Sequence, residues 1–166
     1  VILTGAGRGF CSGADLASDD LKVSSPAAGL EPMRQAARVI MGIRELPQPV
    51  IAAVNGPAVG GGLSLAMACD IIIASAKAVF GAPFVLRNLH PDFGATYFLP
   101  RLIGPARAAD LLLTGRTIDA AEAERIGLVS RVVPEDKLER AAADIASALA
   151  LGAPLAINLT KASINK

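Results

Sequence analysis

An α/β fold with parallel strand pairing is predicted by three features of this 166-residue chain. Short apolar runs alternate with segments of helical periodicity. Those runs are apolar on consecutive residues, as strands buried on both faces require, and glycine or proline punctuates the changes of period. Residues 1–4 read as the first strand, closed by the turn Gly5-Ala6-Gly7-Arg8-Gly9. Residues 17–31 are polar, aperiodic and contain Ser and Pro, the pattern of a mobile loop. Over 32–46, Met33, Ala36, Ala37, Ile40, Met41 and Ile43 recur at helical spacing, and Pro47 and Pro49 stop the helix. Residues 50–54 form a buried strand that Asn55-Gly56-Pro57 turns into Gly60-Gly61-Gly62, and 63–69 read as a helix. Strands follow at 70–74 and 79–81, then an irregular stretch over 84–94. Helices are predicted at 95–102 and 105–113. Asp119 is placed to cap a short helix over 120–126, because its carboxylate can accept from the free N–H groups of the first turn. A strand at 129–133 precedes two closing helices, 135–151 and 154–165, separated by Gly152 and Pro154. There is no internal repeat and no linker long enough to divide the chain.

Composition excludes several classes of function. Hydrophobic residues at 52% against 19% charged, with mean hydropathy +0.49, rule out general disorder. No apolar run reaches the roughly 18–20 residues of a membrane span, so no membrane is expected. Sixteen basic residues against fifteen acidic ones give +1 with no basic block, and there is no Trp and one Tyr. No nucleic-acid partner is expected from that balance. Cys11 and Cys69 make no disulfide framework, and no His/Cys cluster has metal-ligand spacing, so no metal is expected and a reducing cytoplasm fits best. The excess of small apolar residues predicts an oligomer. Val1 opens inside an apolar run without an initiating Met, so a longer chain is expected, of which this is a part.

Gly5-Ala6-Gly7-Arg8-Gly9 after a strand invites a dinucleotide reading, but Phe10 stands where the last glycine of that fingerprint belongs, and Cys-Ser-Gly follows instead of a helix. No Gly-Lys-Ser/Thr follows any glycine cluster, which removes a P-loop. Two other segments share a pattern of strand, tight turn and small residues opening a helix: 10–16 and 55–64. Taken alone, each is an ordinary glycine turn. Taken together, their unpaired N–H groups can converge on one point and form an oxyanion hole.

FCSGADL (10–16), PVIAAVNGPAVGGGLSLAMACDIIIAS (49–75) and LPRLIGPARAADLLLTGRTIDAAEAERIGLVSRVVP (99–134) closely resemble the enoyl-CoA hydratase/isomerase, or crotonase, family. The resemblance covers essentially the whole chain. It implies the ClpP/crotonase spiral of ββα units over 1–134 and a C-terminal helical trimerisation region over 135–166. It also implies an N-terminal hairpin ahead of Val1 and a few residues after Lys166. The implied substrate is an acyl-CoA, with no cofactor beyond the coenzyme A of the substrate itself, in a homotrimer or dimer of trimers. The backbone N–H groups of Ala14 and Gly61 match the family's oxyanion donors.

The acid/base positions depart from the family's hydratases, which carry one Glu two residues beyond the GGG run and another after the FG-x-P segment. Here those places hold Ser64 and Phe84. An unactivated alcohol is far too weak a base, and Phe has no acidic group. Asp92, in Leu89-His90-Pro91-Asp92-Phe93-Gly94, matches the position at which family isomerases and dehalogenases place an Asp. Phe84, Phe93 and Tyr97 are expected to desolvate it and raise its pKa. Alone, Asp after Pro is a common turn pair. Asp92 is thus the expected base, and Ser64, Phe84 and Phe93 are expected around the substrate. His90 reads as a turn residue, Asp15 as a helix cap, Asp70 as an anchor for its strand, and Arg101 as one half of a structural salt bridge. Arg8 and Lys161 are the best-placed cations for coenzyme A phosphates, with a solvated face the ordinary alternative. Three readings stay open: an isomerase using Asp92, a hydratase in which Asp92 activates water, and an acyl-CoA binder without turnover.

Overall fold

The computed structural model describes residues 1–15 and 26–165. In chain order the elements are β1 (Ile2–Thr4), α1 (Pro26–Glu45), β2 (Ile51–Val54), β3 (Ala58–Val59), α2 (Gly61–Ala68), β4 (Ile71–Ser75), β5 (Val79–Gly81), α3 (Ala95–Ile103), α4 (Pro105–Thr114), β6 (Thr117–Asp119), α5 (Ala120–Arg125), β7 (Arg131–Val133), α6 (Leu138–Ala150) and α7 (Pro154–Ile164). A four-stranded sheet runs β1-β2-β4-β7 and every neighbouring pair is parallel. The apolar runs explain this. Ile51, Ala53 and Ile73 face Leu138 and Ala142 of α6, while Ala52, Val54, Ile72 and Ala74 face the main core with Leu63 and Met67 of α2. A sheet covered on both faces needs apolar residues at every position, and β2 is buried throughout.

The second sheet, β3-β5-β6, is small and mixed, parallel between β3 and β5 and antiparallel between β5 and β6. Neither β3 nor β6 was expected from the sequence: β3 is two residues within the glycine-rich turn, and β6 is three residues ending in the polar cap of the next helix. The helix α1 corrects the predicted loop over 17–31: it begins with Pro26 at its first helical position, where the missing N–H is unneeded, and Pro32 lies inside it. Residues 17–25 of that predicted loop lie outside the described residues. Asp119 caps α5 as expected, its Oδ1 accepting from the Glu122 N–H at 2.7 Å. Gly104, at φ 81°, separates α3 from α4, and Pro105 and Pro154 open α4 and α7. Among the described residues, no single helix is long and apolar enough to cross a membrane.

Lys161 corrects its expected role near coenzyme A. Its side chain is only 5% exposed; Nζ lies 2.8 Å from Asp70 Oδ2 and donates to the carbonyls of Ile43 and Gln48 at 2.9 and 3.0 Å. The same Asp70 oxygen accepts from the Val50 N–H at 2.7 Å, so Asp70 does anchor the strand region as expected. One buried cation thereby ties α7 to the end of α1 and to the lead-in of β2. Lys161→Met removes the charge but keeps most of the volume, leaving Asp70 without its ion partner. It should lower unfolding free energy by roughly 3 kcal/mol, the lower end for breaking a buried pair; a urea denaturation midpoint unchanged from the parent would contradict this.

Candidate functional site

Parallel sheets place ligands beyond the carboxyl ends of their strands, and here the chain leaves β1 and β2 into the two glycine-rich turns. Asn55, at the end of β2, holds the first turn: its Oδ1 accepts from the Gly5 N–H at 3.1 Å, and its Nδ2 donates to the carbonyls of Gly7 and Gly9 at 3.0 and 3.3 Å. Backbone bonds then lock the segment after that turn against the segment after β2. The N–H groups of Phe10 and Cys11 donate to Pro57 O at 3.1 Å, Val59 N–H to Cys11 O at 3.0 Å, and Gly60 N–H to Gly81 O at 2.9 Å. A Cβ on Gly62 would lie 1.9 Å from the Cys11 carbonyl oxygen, so only glycine permits this approach. Gly13 stands at φ 86°, and a Cβ there would lie 3.2 Å from the Gly61 nitrogen. The two turns predicted to converge are therefore in contact.

Between them lies a cleft of about 100 Å³ whose lining includes Ala14, Gly61, Phe84, Asp92 and Phe93. Gly61 is the first residue of α2, whose opening N–H groups have no partner within the helix. Among the described residues, neither Ala14 N–H nor Gly61 N–H donates to a backbone carbonyl. Asp92 Oδ1 is buried without a hydrogen-bond partner. Burial raises the pKa of this carboxyl above its ordinary value, opposed by its own backbone N–H and by the nearby charge of His90. Phe84 and Phe93 provide apolar walls, as expected. Tyr97 does not; its exposed ring packs edge-on to Phe98 and lies under Arg101, 3.6 Å from the guanidinium carbon.

Ser64 also departs from its expected place in the pocket wall. It is fully buried and absent from the cleft wall; its Oγ donates to the backbone carbonyl of Asp92 at 3.2 Å. Its hydroxyl thereby steadies the backbone of the Asp92 turn. Arg101 makes no ion pair among the described residues; it donates to Tyr97 O at 2.9 Å and covers that ring. Asp15 borders the undescribed segment, so the helix it was expected to cap lies outside the described residues. Arg8 and His90 are exposed. The buried thiol of Cys69 is pushed up to about 12, chiefly by burial and also by Asp70, with Lys161 opposing, so it is no nucleophile at neutral pH.

Ser12, Gly13, Val59, Gly60, Pro83, Arg87 and Leu89 complete the cleft, and sequence reasoning assigned none of them a role of its own. All but Arg87 lie inside the quoted motif segments, and that membership was their only signal. Arg87, the cation in this wall, sat in a stretch read as irregular, which contains a short 3-10 turn over Val85–Arg87.

Comparison with known proteins places the chain in a family. The family model for enoyl-CoA hydratase/isomerase matches residues 1–166. A relative from Mycobacterium bovis, named as a probable enoyl-CoA hydratase, is 48% identical over 99% of this chain and 60% of its own length. The crystal structure of an enoyl-CoA hydratase from Bacillus anthracis superposes with a TM-score of 0.94 at 42% identity, over 99% of this chain and 64% of that one. That of a monofunctional enoyl-CoA isomerase from M. smegmatis gives 0.82 at 47% identity, over 98% and 68%. The chain thus spans about 60% of the length of the M. bovis relative. Its architecture is the crotonase fold that the motifs implied. By motif, fold and family match alike, this chain belongs to the enoyl-CoA hydratase/isomerase family.

Proposed function

We propose that this protein isomerises the double bond of an enoyl-CoA, with Asp92 as the base and the N–H groups of Ala14 and Gly61 holding the thioester oxygen. The observation that carries the reading is the buried, unpartnered Asp92 Oδ1 in the cleft that both turns wall. Asp92 takes a proton from a carbon made acidic by the thioester. The electron pair moves onto the carbonyl oxygen as an enolate, where the two N–H dipoles stabilise the charge. The protonated carboxyl then returns the proton to a carbon further along the conjugated system, so one group serves as base and then acid.

Hydration in the usual two-carboxylate manner needs a second acid/base group. The two family positions for it hold a serine committed to the Asp92 carbonyl and a phenylalanine. Hydration by Asp92 alone is the second reading, favoured by the hydratase names of the M. bovis and B. anthracis relatives. Incubation with an enoyl-CoA in deuterated water, followed by product analysis, separates the outcomes. Isomerisation moves the double bond and hydration yields a hydroxyacyl-CoA; a binder without turnover gives neither. A hydroxyacyl-CoA as the only product would overturn the isomerase reading.

The raised pKa gives a pH expectation. The base must be ionised, so kcat/KM should rise with pH through an inflection above the ordinary carboxylate range, and a profile flat from pH 4 upward would contradict it. A homotrimer or dimer of trimers is proposed on the C-terminal helices. Leu155 and Leu159 of α7 are exposed, while Leu149 and Ile157 are half-buried. Fully burying an exposed side chain of this kind gains about 1.5–3 kcal/mol, and a half-buried one gains less. Light scattering on the full-length protein should report a trimer or hexamer, and a stable monomer would remove the proposal.

A further inference from the structure

The cleft at Asp92 holds about 100 Å³, well below the ~300 Å³ at which ligand pockets ordinarily begin. It accommodates the reacting carbons of a thioester but not an acyl chain. A second cavity of about 410 Å³ lies between α1 and α3, walled mainly by Ala37, Ile40, Met41, Tyr97 and Phe98. Phe93 is the residue common to the two linings. Its backbone stands at φ 48°, the left-handed region that bulky side chains rarely adopt. Its ring carbon Cδ2 lies 3.3 Å from the point where a Cβ on Gly61 would sit. Strain of this kind persists where the surroundings enforce it, and here it turns an aromatic ring into the boundary between two cavities.

We infer that the acyl chain of the substrate passes from the cleft beside the Phe93 ring into the apolar cavity between α1 and α3, and that this ring sets the chain length admitted. The inference rests on the reading of the protein as an acyl-CoA enzyme. The wall is aliphatic and aromatic apart from Arg44 and Asn165, which suits a hydrocarbon chain. A competing route leads past Leu89 to a groove of about 540 Å³ that also includes Val85, Pro105 and Leu112. Phe93 is favoured because it follows Asp92 directly, packs against Gly61 and carries the backbone strain. Leu89 has none of these features.

Affinity of the full chain for saturated butanoyl-CoA and octanoyl-CoA, measured by calorimetry, tests the route independently of turnover, since saturated chains have no double bond to move. Each methylene that gains burial is worth roughly fourfold in affinity. Phe93→Ala opens the boundary and should raise the octanoyl-to-butanoyl affinity ratio about tenfold or more. Met41→Trp fills the cavity from the α1 side, at an exposed position that tolerates change, and should lower octanoyl affinity while leaving butanoyl affinity unchanged. A ratio unmoved by both variants, or one moved by Leu89→Trp instead, overturns the inference while leaving the acyl-CoA reading intact. Failure of the parent to bind either thioester overturns that reading, and the inference with it.

Discussion

Asp92→Asn is expected to lower turnover of an enoyl-CoA by ~10²- to 10⁴-fold, the range for loss of a general base. The amide keeps the size of the side chain but cannot take up a proton. Acyl-CoA affinity should change little, because the donors at Ala14 and Gly61 and the apolar walls remain. The variant should also fold at least as well as the parent. Burial raises the carboxyl's pKa, so the folded state favours the protonated form. That contribution is present below the unfolded-state pKa and is lost as pH rises through the folded value. Where that carboxyl is ionised, the parent therefore holds a desolvated charge that Asn removes. Thermal unfolding and stopped-time product assays on the two proteins check both halves. Full activity in Asp92→Asn would move the base elsewhere, to a part of the protein outside this chain or to a neighbouring subunit.

Gly61→Pro should lower kcat ~10²- to 10³-fold, the effect of deleting one oxyanion donor. The position permits an unusually direct test. Gly61 is the first residue of α2, where proline's fixed φ is tolerated and its missing N–H breaks no helical bond. What the substitution removes is the N–H group proposed as an oxyanion donor. The steric control is Gly61→Ala, which keeps the N–H but places a Cβ 3.3 Å from the Phe93 ring, so the ring must yield by a few tenths of an ångström. Alanine should therefore cause a much smaller loss than proline. Equal losses in the two variants would assign the effect to crowding at Phe93 and remove Gly61 from the oxyanion hole.

Much of the site was legible because its signals are local. The helices at 105–113 and 154–165, the Asp119 cap and the strands at 50–54 and 70–74 follow from apolar period, from proline at first turns and from a carboxylate one step ahead of a helix. Each depends on residues within about four positions of one another, and each is present within a residue or two of its expected bounds. The glycines of the two turns were likewise readable as places of close backbone approach. The family motifs then pointed to Ala14, Gly61 and Asp92, which the fold brings to one cleft.

What the sequence determined by itself was the alternation of strands and helices, the two-faced burial of the central strands and the absence of both hydratase glutamates. Tertiary structure alone decided which polar groups face the ligand. Lys161 and Ser64 look alike from the sequence, as polar residues on apolar helices, yet one is buried on Asp70 and the carbonyl of Ile43, 118 positions away, and the other on the carbonyl of Asp92, 28 positions away. Tyr97 and Phe93 are both aromatics near Asp92, but only Phe93, at its positive φ, reaches the cleft. The physical reason is one of range. Hydrophobic period and capping are settled within a single helical turn, whereas the partner of a buried polar group is chosen by whatever distant backbone the packing brings alongside it.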